Sequence, residues 1–111
     1  MRCTVDCDFK VDAVSMLIKM IDETQQVPEI WLSPRGKGFL FISYGLNCSF
    51  EETLKMRERI GDDHLRIKID RARADTGKPL QVLWTKKFMD GKEYTAKQLT
   101  LEEFMRLMKN E

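Results

Sequence analysis

The stretch Ser33-Pro-Arg-Gly-Lys-Gly-Phe-Leu-Phe-Ile-Ser-Tyr44 decides how the rest of this chain is read. Pro34, Gly36 and Gly38 interrupt an apolar run, and strict alternation resumes at Phe39. Proline fixes φ and glycine tolerates the left-handed region, so this segment reads as a hairpin. One strand ends near Ser33, a glycine-bearing turn follows, and a second strand runs through Tyr44. Alternation sends Phe39, Phe41 and Ser43 to one face and Leu40, Ile42 and Tyr44 to the other. One face has to carry the core. The other then sets two aromatic rings beside a basic turn, a combination suited to flat bases and phosphates.

Working outward, Cys3, Val5, Cys7 and Phe9 alternate with Thr4, Asp6 and Asp8, which reads as a half-buried strand. Val11, Val14, Leu17, Ile18 and Ile21 recur at helical spacing and predict an amphipathic helix from about Val11 to Gln25, ended before Pro28. Glu29–Ser33 is the first strand of the hairpin. Ser49-Phe-Glu-Glu52 is a capping box opening a helix that runs to about Ile60 and stops at Gly61. His64–Arg73 alternates again, with Leu65, Ile67 and Ile69 opposite Arg66, Lys68 and Asp70, and reads as a strand. Asp75-Thr-Gly77 and Asp90-Gly91 are turns, with a further strand over Leu80–Phe88. A second capping box, Thr100-Leu-Glu-Glu103, opens a last helix carrying Leu101, Phe104, Met105 and Met108 on one side.

The order strand, helix, strand, strand, helix, strand predicts an α+β fold. Its natural closure is a ferredoxin-like split βαβ sheet (βαββαβ), with an extra strand and a C-terminal helix, in one domain over 1–111. In such a sheet the first and third strands are central and the fourth lies beside the first. With Val5, Cys7, Leu40, Ile42, Leu65, Ile67 and Ile69 facing the helices, the open face would hold Asp6, Asp8, Phe39, Phe41, Arg66, Lys68 and Asp70.

Composition bounds the function classes. The formal net charge of +1 argues against a general polyanion binder, but residues 65–97 hold nine basic and four acidic side chains, so the charge is local. No apolar run is long enough to span a membrane and residues 1–12 show no signal-peptide pattern, so a cytoplasmic location is expected. Three cysteines, Cys3, Cys7 and Cys48, fit buried free thiols better than a disulfide framework or a zinc site. One histidine, His64, and the lack of a Gly-x-Ser-x-Gly turn leave hydrolase triads without support.

Two resemblances add to this. Lys37-Gly-Phe-Leu-Phe-Ile-Ser-Tyr44 resembles the RNP1 strand of RNA-recognition-motif domains, departing from it at Leu40, where that motif has Gly or Ala. The resemblance implies that Phe39 and Phe41 stack bases while Lys37 contacts phosphate. Thr4-Val5-Asp6-Cys7 lacks the aromatic of that family's other signature strand. The chain also resembles the palm of archaeo-eukaryotic-type primases, in degenerate or miniature form. Asp6-Cys7-Asp8 fits its early Asp-x-Asp pair and Ile69-Asp70 its later hydrophobic-Asp. The Ser33–Gly38 segment stands where that family has Ser-x-His, without the histidine.

Three functions follow as expectations. The first is a small domain binding single-stranded nucleic acid on the sheet face, with Phe39 and Phe41 stacking and Arg35, Lys37, Arg66 and Lys68 on phosphates. The second is a primase-type palm in which Asp6, Asp8 and Asp70 hold one or two Mg²⁺ ions for a nucleotide. The third is a homodimeric interaction module built on an edge strand or the Met-rich last helix. A plainer reading stands beside each. Asp6 and Asp8 can be the solvated side of a strand, and Lys86 and Lys87 a charged edge. The Leu101, Phe104 and Met108 stripe can cover the two phenylalanines, and Trp31 and Trp84 can serve as core or interface.

Overall fold

The computed structural model describes residues 1–83 and 85–109; Trp84 lies outside the described residues. The chain runs β1 (Cys3–Cys7), a 3₁₀ turn (Lys10–Asp12), α1 (Ala13–Thr24), β2 (Glu29–Leu32), β3 (Phe39–Ser43), α2 (Phe50–Ile60) and α3 (His64–Arg73). It continues with β4 (Lys86–Met89), β5 (Lys92–Thr95), β6 (Lys97–Leu99) and α4 (Leu101–Lys109). The fold is α+β, with an antiparallel sheet in the order β1-β3-β2-β6 and a separate β4-β5 hairpin. No helix among the described residues is long and apolar enough to cross a membrane.

Local chemistry explains most boundaries. The Ser49 hydroxyl accepts from the Glu52 amide while the Glu52 carboxylate accepts from the Ser49 amide, each at 3.2 Å. Thr100 and Glu103 repeat this at the start of α4, at 2.9 and 3.0 Å. Such a box satisfies two of the amides that a helix start leaves bare. Asp90 and Gly91 both take positive φ, as a two-residue hairpin turn requires, and join β4 to β5.

The segment His64–Arg73 is a helix, not the strand that its alternation suggests. The Asp63 carboxylate caps it by accepting from the Leu65 amide at 2.9 Å. Asp62 and Arg66, four apart, pair at 2.6 Å. Its inward residues are Ile67 and Asp70, at helical spacing, while Leu65 and Ile69 lie on the exposed side. Among the described residues, the place beside β1 that the ferredoxin-like order reserves for a fourth strand therefore holds no strand. Instead, side chains cap the outer edge of β1. The Asp62 carboxylate accepts from the Asp6 amide at 2.9 Å, and the Gln81 side-chain oxygen accepts from the Thr4 amide at 2.7 Å. The sheet gains its extra strand at the other edge, where β6 pairs with β2.

Strand register overturns the expected division of faces. Val5 stands opposite Phe41 and Cys7 opposite Phe39, so these four share one face, while Asp6 stands opposite Leu40. The first face is the apolar core: Val5, Cys7, Ile30, Phe39, Phe41 and Leu99 pack against α1 residues Ala13, Met16, Leu17 and Met20. α4 closes it from the C-terminal end. Its Phe104 ring meets Phe39 edge-on at 5.0 Å and Phe41 at 6.1 Å, a geometry that adds to simple area burial. The α1 stripe is also rotated from expectation, since Val11, Val14 and Ile18 are exposed. The opposite face carries Thr4, Asp6, Leu40 and Ile42, and it is here that a cleft opens.

Candidate functional site

The wall of this cleft is set by a buried ionic network. Arg57, on α2, is fully buried and donates from Nε to Asp62 at 2.8 Å and from Nη1 to Asp70 at 2.6 Å. Burial works against the Arg57 charge, but the two carboxylates outweigh it and raise its pKa above the usual guanidinium range. Arg66 donates to both oxygens of Asp62, at 2.6 and 2.8 Å, and to the Thr4 hydroxyl at 2.8 Å. Asp70 accepts from the Gln81 amide at 3.0 Å. Breaking one partner out of such a buried cluster typically costs about 3–5 kcal/mol, because the charge left behind is stranded. The network thus ties α2, α3 and the segment around Gln81 to the edge of β1, and it holds the Asp6 backbone in place.

The opposite wall is the β2–β3 loop. Ser33 and Gly38 clasp its base: the Ser33 amide donates to the Gly38 carbonyl at 2.9 Å, and the Gly38 amide donates to the Ser33 hydroxyl at 3.0 Å. Gly36 takes φ +71 and its amide closes the turn on the Ser33 carbonyl. Gly38 is required for a different reason. A Cβ there would overlap the Cys7 carbonyl oxygen and stand 3.2 Å from the Asp8 Cα. Only glycine lets the basic loop lie directly on the end of the Asp6-Cys7-Asp8 strand.

Between the walls is a cavity of about 350 Å³, within the range of small-ligand sites. Asp6, Asp8, Asp63, Arg35, Lys37, Arg66 and Lys87 supply its charged lining, and Leu40, Ile69 and Val82 part of its apolar floor. Arg35, Lys37 and Lys87 are exposed. Arg66 is occupied by Asp62 and Thr4 and is largely buried. The Asp6 carboxyl is pushed up to about 6, first by burial and then by repulsion from Asp8, with Arg66 acting in the opposite sense. Burial and the neighbouring Asp8 thus disfavour the charge of Asp6, while Arg35, Lys37 and Lys87 present exposed cations to the same cavity.

The candidate residues divide accordingly. Arg35, Lys37, Arg66, Asp6 and Asp8 are brought together in one cleft. Phe39 and Phe41 are both 0% exposed beneath Phe104, so neither presents a ring face for a base. Lys68 is exposed on α3 and does not line the cleft. Asp70 lies on a helix rather than a strand, and its carboxylate is spent on Arg57 and the Gln81 amide. Among the described residues no three acidic, histidine or cysteine side chains are grouped to hold a metal ion, so Asp6, Asp8 and Asp70 do not form a three-carboxylate centre. Cys3, Cys7 and Cys48 are free thiols, the first two buried, with pKa values that burial pushes up to about 11. Lys87, read from sequence as an edge residue, joins the cleft, as does Asp63. The close approach demanded of Gly38 is the feature that links the loop to β1, and only the strand register exposes it. Comparison of this chain with protein-family models, curated proteins and solved structures finds no match to any of them.

Proposed function

We propose that this protein binds a phosphorylated ligand, a nucleotide or a nucleic-acid strand, in the cleft between β1, the β2–β3 loop and α3. The observation that carries this reading is the convergence of Arg35, Lys37 and Lys87 on Asp6 and Asp8 across a loop that Gly38 presses against β1. Arg35 and Lys37 sit on the loop, and Lys87 on β4, as donors to phosphate oxygens. Arg66 is a positioning residue: it braces Asp62 and Thr4 and so fixes β1. Asp6 and Asp8 fit a divalent cation such as Mg²⁺ only when the ligand's own phosphates complete its oxygen shell, because the third carboxylate expected from sequence is committed elsewhere. When bound, that cation would supply charge neutralisation between the carboxylates and the phosphates. The placement of the Asp-x-Asp strand against the Ser33–Gly38 loop supports the primase-type palm reading better than stacking on the sheet face, where the rings are covered.

The test is an equilibrium titration of the protein with a nucleoside triphosphate and with a short single-stranded oligonucleotide, each with and without Mg²⁺, at two salt concentrations. The expected result is salt-sensitive binding, strengthened by Mg²⁺. In the Arg35→Ala/Lys37→Ala double variant affinity should fall at least tenfold, and the salt slope for a single strand should drop by about 1.4, roughly 0.7 per lost phosphate contact. Binding unaltered in that variant would refute the assignment.

A further inference from the structure

Beside the cleft, and sharing Asp8 and Lys37 with it, lies a shallow groove bounded by Phe9, Val11 and Gly36. Phe9 is 67% exposed and Val11 is 89% exposed, the latter the most exposed large apolar side chain among the described residues. Their backbone is nonetheless pinned. The Phe9 carbonyl accepts from the Asp12 amide at 3.1 Å and from the Cys7 thiol at 3.2 Å, which anchors the 3₁₀ turn to the end of β1. Gly36, facing them, has no side chain, and nothing lies within 4 Å of where its Cβ would be. An exposed aromatic ring on an anchored backbone, one groove away from a cluster of cations, matches a ligand that is flat and apolar at one end and anionic at the other.

We infer that Phe9, with Val11 beside it, is the stacking seat for a base, so that the site takes a nucleotide unit rather than a bare polyphosphate. This rests on the phosphate-binding reading of the cleft and adds to it the feature that selects the ligand. With the phosphates held by Arg35 and Lys37, the attached nucleoside passes Asp8 and Lys37, the residues common to both grooves, and its base lies on the Phe9 ring. Phe9 then takes the stacking role that the sequence suggests for Phe39 and Phe41. Stacking tolerates every base, since each offers a π face, so the seat is expected to read the presence of a base rather than its identity.

The experiment compares three probes, inorganic tripolyphosphate, a nucleoside triphosphate and a short oligothymidylate, on the wild-type chain and on Phe9→Ala, Phe9→Trp and Arg35→Ala/Lys37→Ala. Because the Phe9 ring is exposed, Phe9→Ala should keep the wild-type circular dichroism and melting midpoint. The inference predicts that Phe9→Ala weakens both nucleotide probes about 5- to 100-fold, leaves tripolyphosphate unchanged, and is rescued by Phe9→Trp. A larger loss for the oligothymidylate than for the triphosphate identifies a strand as the source of the nucleotide unit, and the reverse identifies a free nucleotide. Equal affinity of Phe9→Ala and wild type for both nucleotide probes, with the double variant still impaired, would overturn the base seat while leaving the phosphate site standing. Failure of all three probes to bind the wild-type chain would overturn both.

Discussion

The two faces of the β1–β3 strand pair solve opposite problems. On one, Val5, Cys7, Phe39 and Phe41 meet α1 and Phe104 with almost no polar atom between them. On the other, Thr4 and Asp6 meet a network of two arginines and two aspartates and then an open cleft. The first face is stability: burying a phenylalanine ring is worth about 1.5–3 kcal/mol in transfer alone. The second carries paired arginines and aspartates and the Asp6 carboxyl, whose charge burial and Asp8 disfavour. Aromatic rings next to a basic turn in sequence are therefore no guide to a shared surface. Side chains one residue apart on a strand end up on opposite sides of the sheet, and here that separates the phenylalanines from Asp6.

The largest effect that tests this division is Phe104→Ala. Removing the ring that closes over Phe39 and Phe41 should cost about 3–5 kcal/mol in urea denaturation, because α4 cannot refill the space. Binding by the folded protein should be unchanged. A gain in affinity for single-stranded nucleic acid would show that uncovered phenylalanines are a binding surface after all, and the contrast between the faces would collapse.

A smaller effect is expected where the two walls of the cleft touch. Gly38→Ala forces the loop away from Cys7 and Asp8, at a cost of about 1–3 kcal/mol. It should weaken ligand binding more than its stability loss explains, since Arg35 and Lys37 move with the loop. Titration of the variant under conditions where it is fully folded separates the two contributions.

The smallest and most specific effect concerns pH. The folded-state pKa of Asp6 is raised from 3.8 to about 6. The folded protein thus holds a proton that the unfolded chain gives up between those values, so this group's contribution to stability is fully present below about pH 4 and is lost as pH rises through 6. Asp6→Asn should raise the melting midpoint at pH 7, with the gain vanishing near pH 4. Mg²⁺-dependent binding should show the reverse trend and weaken as pH falls through 6, because the protonated carboxyl no longer attracts a cation. A melting difference between variant and wild type that does not change with pH would contradict the environment assigned to Asp6.

Sequence made the local punctuation legible. Both capping boxes, the Gly61 stop, the Asp90-Gly91 turn and the Ser33–Gly38 loop are decided by residues within a few positions of each other, and all stand in the structure. It misled where periodicity is ambiguous. Leu65, Ile67 and Ile69 alternate, but the Asp63 cap and the Asp62–Arg66 spacing are helix signals in the same stretch, and they prevail because Ile67 and Asp70 have partners to meet. The same misreading placed Asp70 on a strand and so beside Asp6 and Asp8. Cross-strand register was illegible for a deeper reason. Which face of β3 joins which face of β1 is fixed by α4 and α1 docking on Phe39 and Phe41, contacts tens of residues away in the chain. Of the candidate site, Asp6, Asp8, Arg35, Lys37 and Arg66 were nameable as residues, but Lys87 and Phe9 become visible as partners only once the walls are assembled.

The central claim is that a phosphorylated ligand enters the cleft and leaves the Phe39 and Phe41 face of the sheet untouched. Two-dimensional amide NMR during a titration with a nucleoside triphosphate and Mg²⁺ addresses it most directly. Shifts concentrated at Asp6, Asp8, Arg35–Gly38, Arg66 and Lys87, with Phe41, Leu99 and Phe104 unmoved, are the predicted result. Shifts centred on Phe39, Phe41 and Phe104, or none at the cleft at saturating ligand, would contradict it.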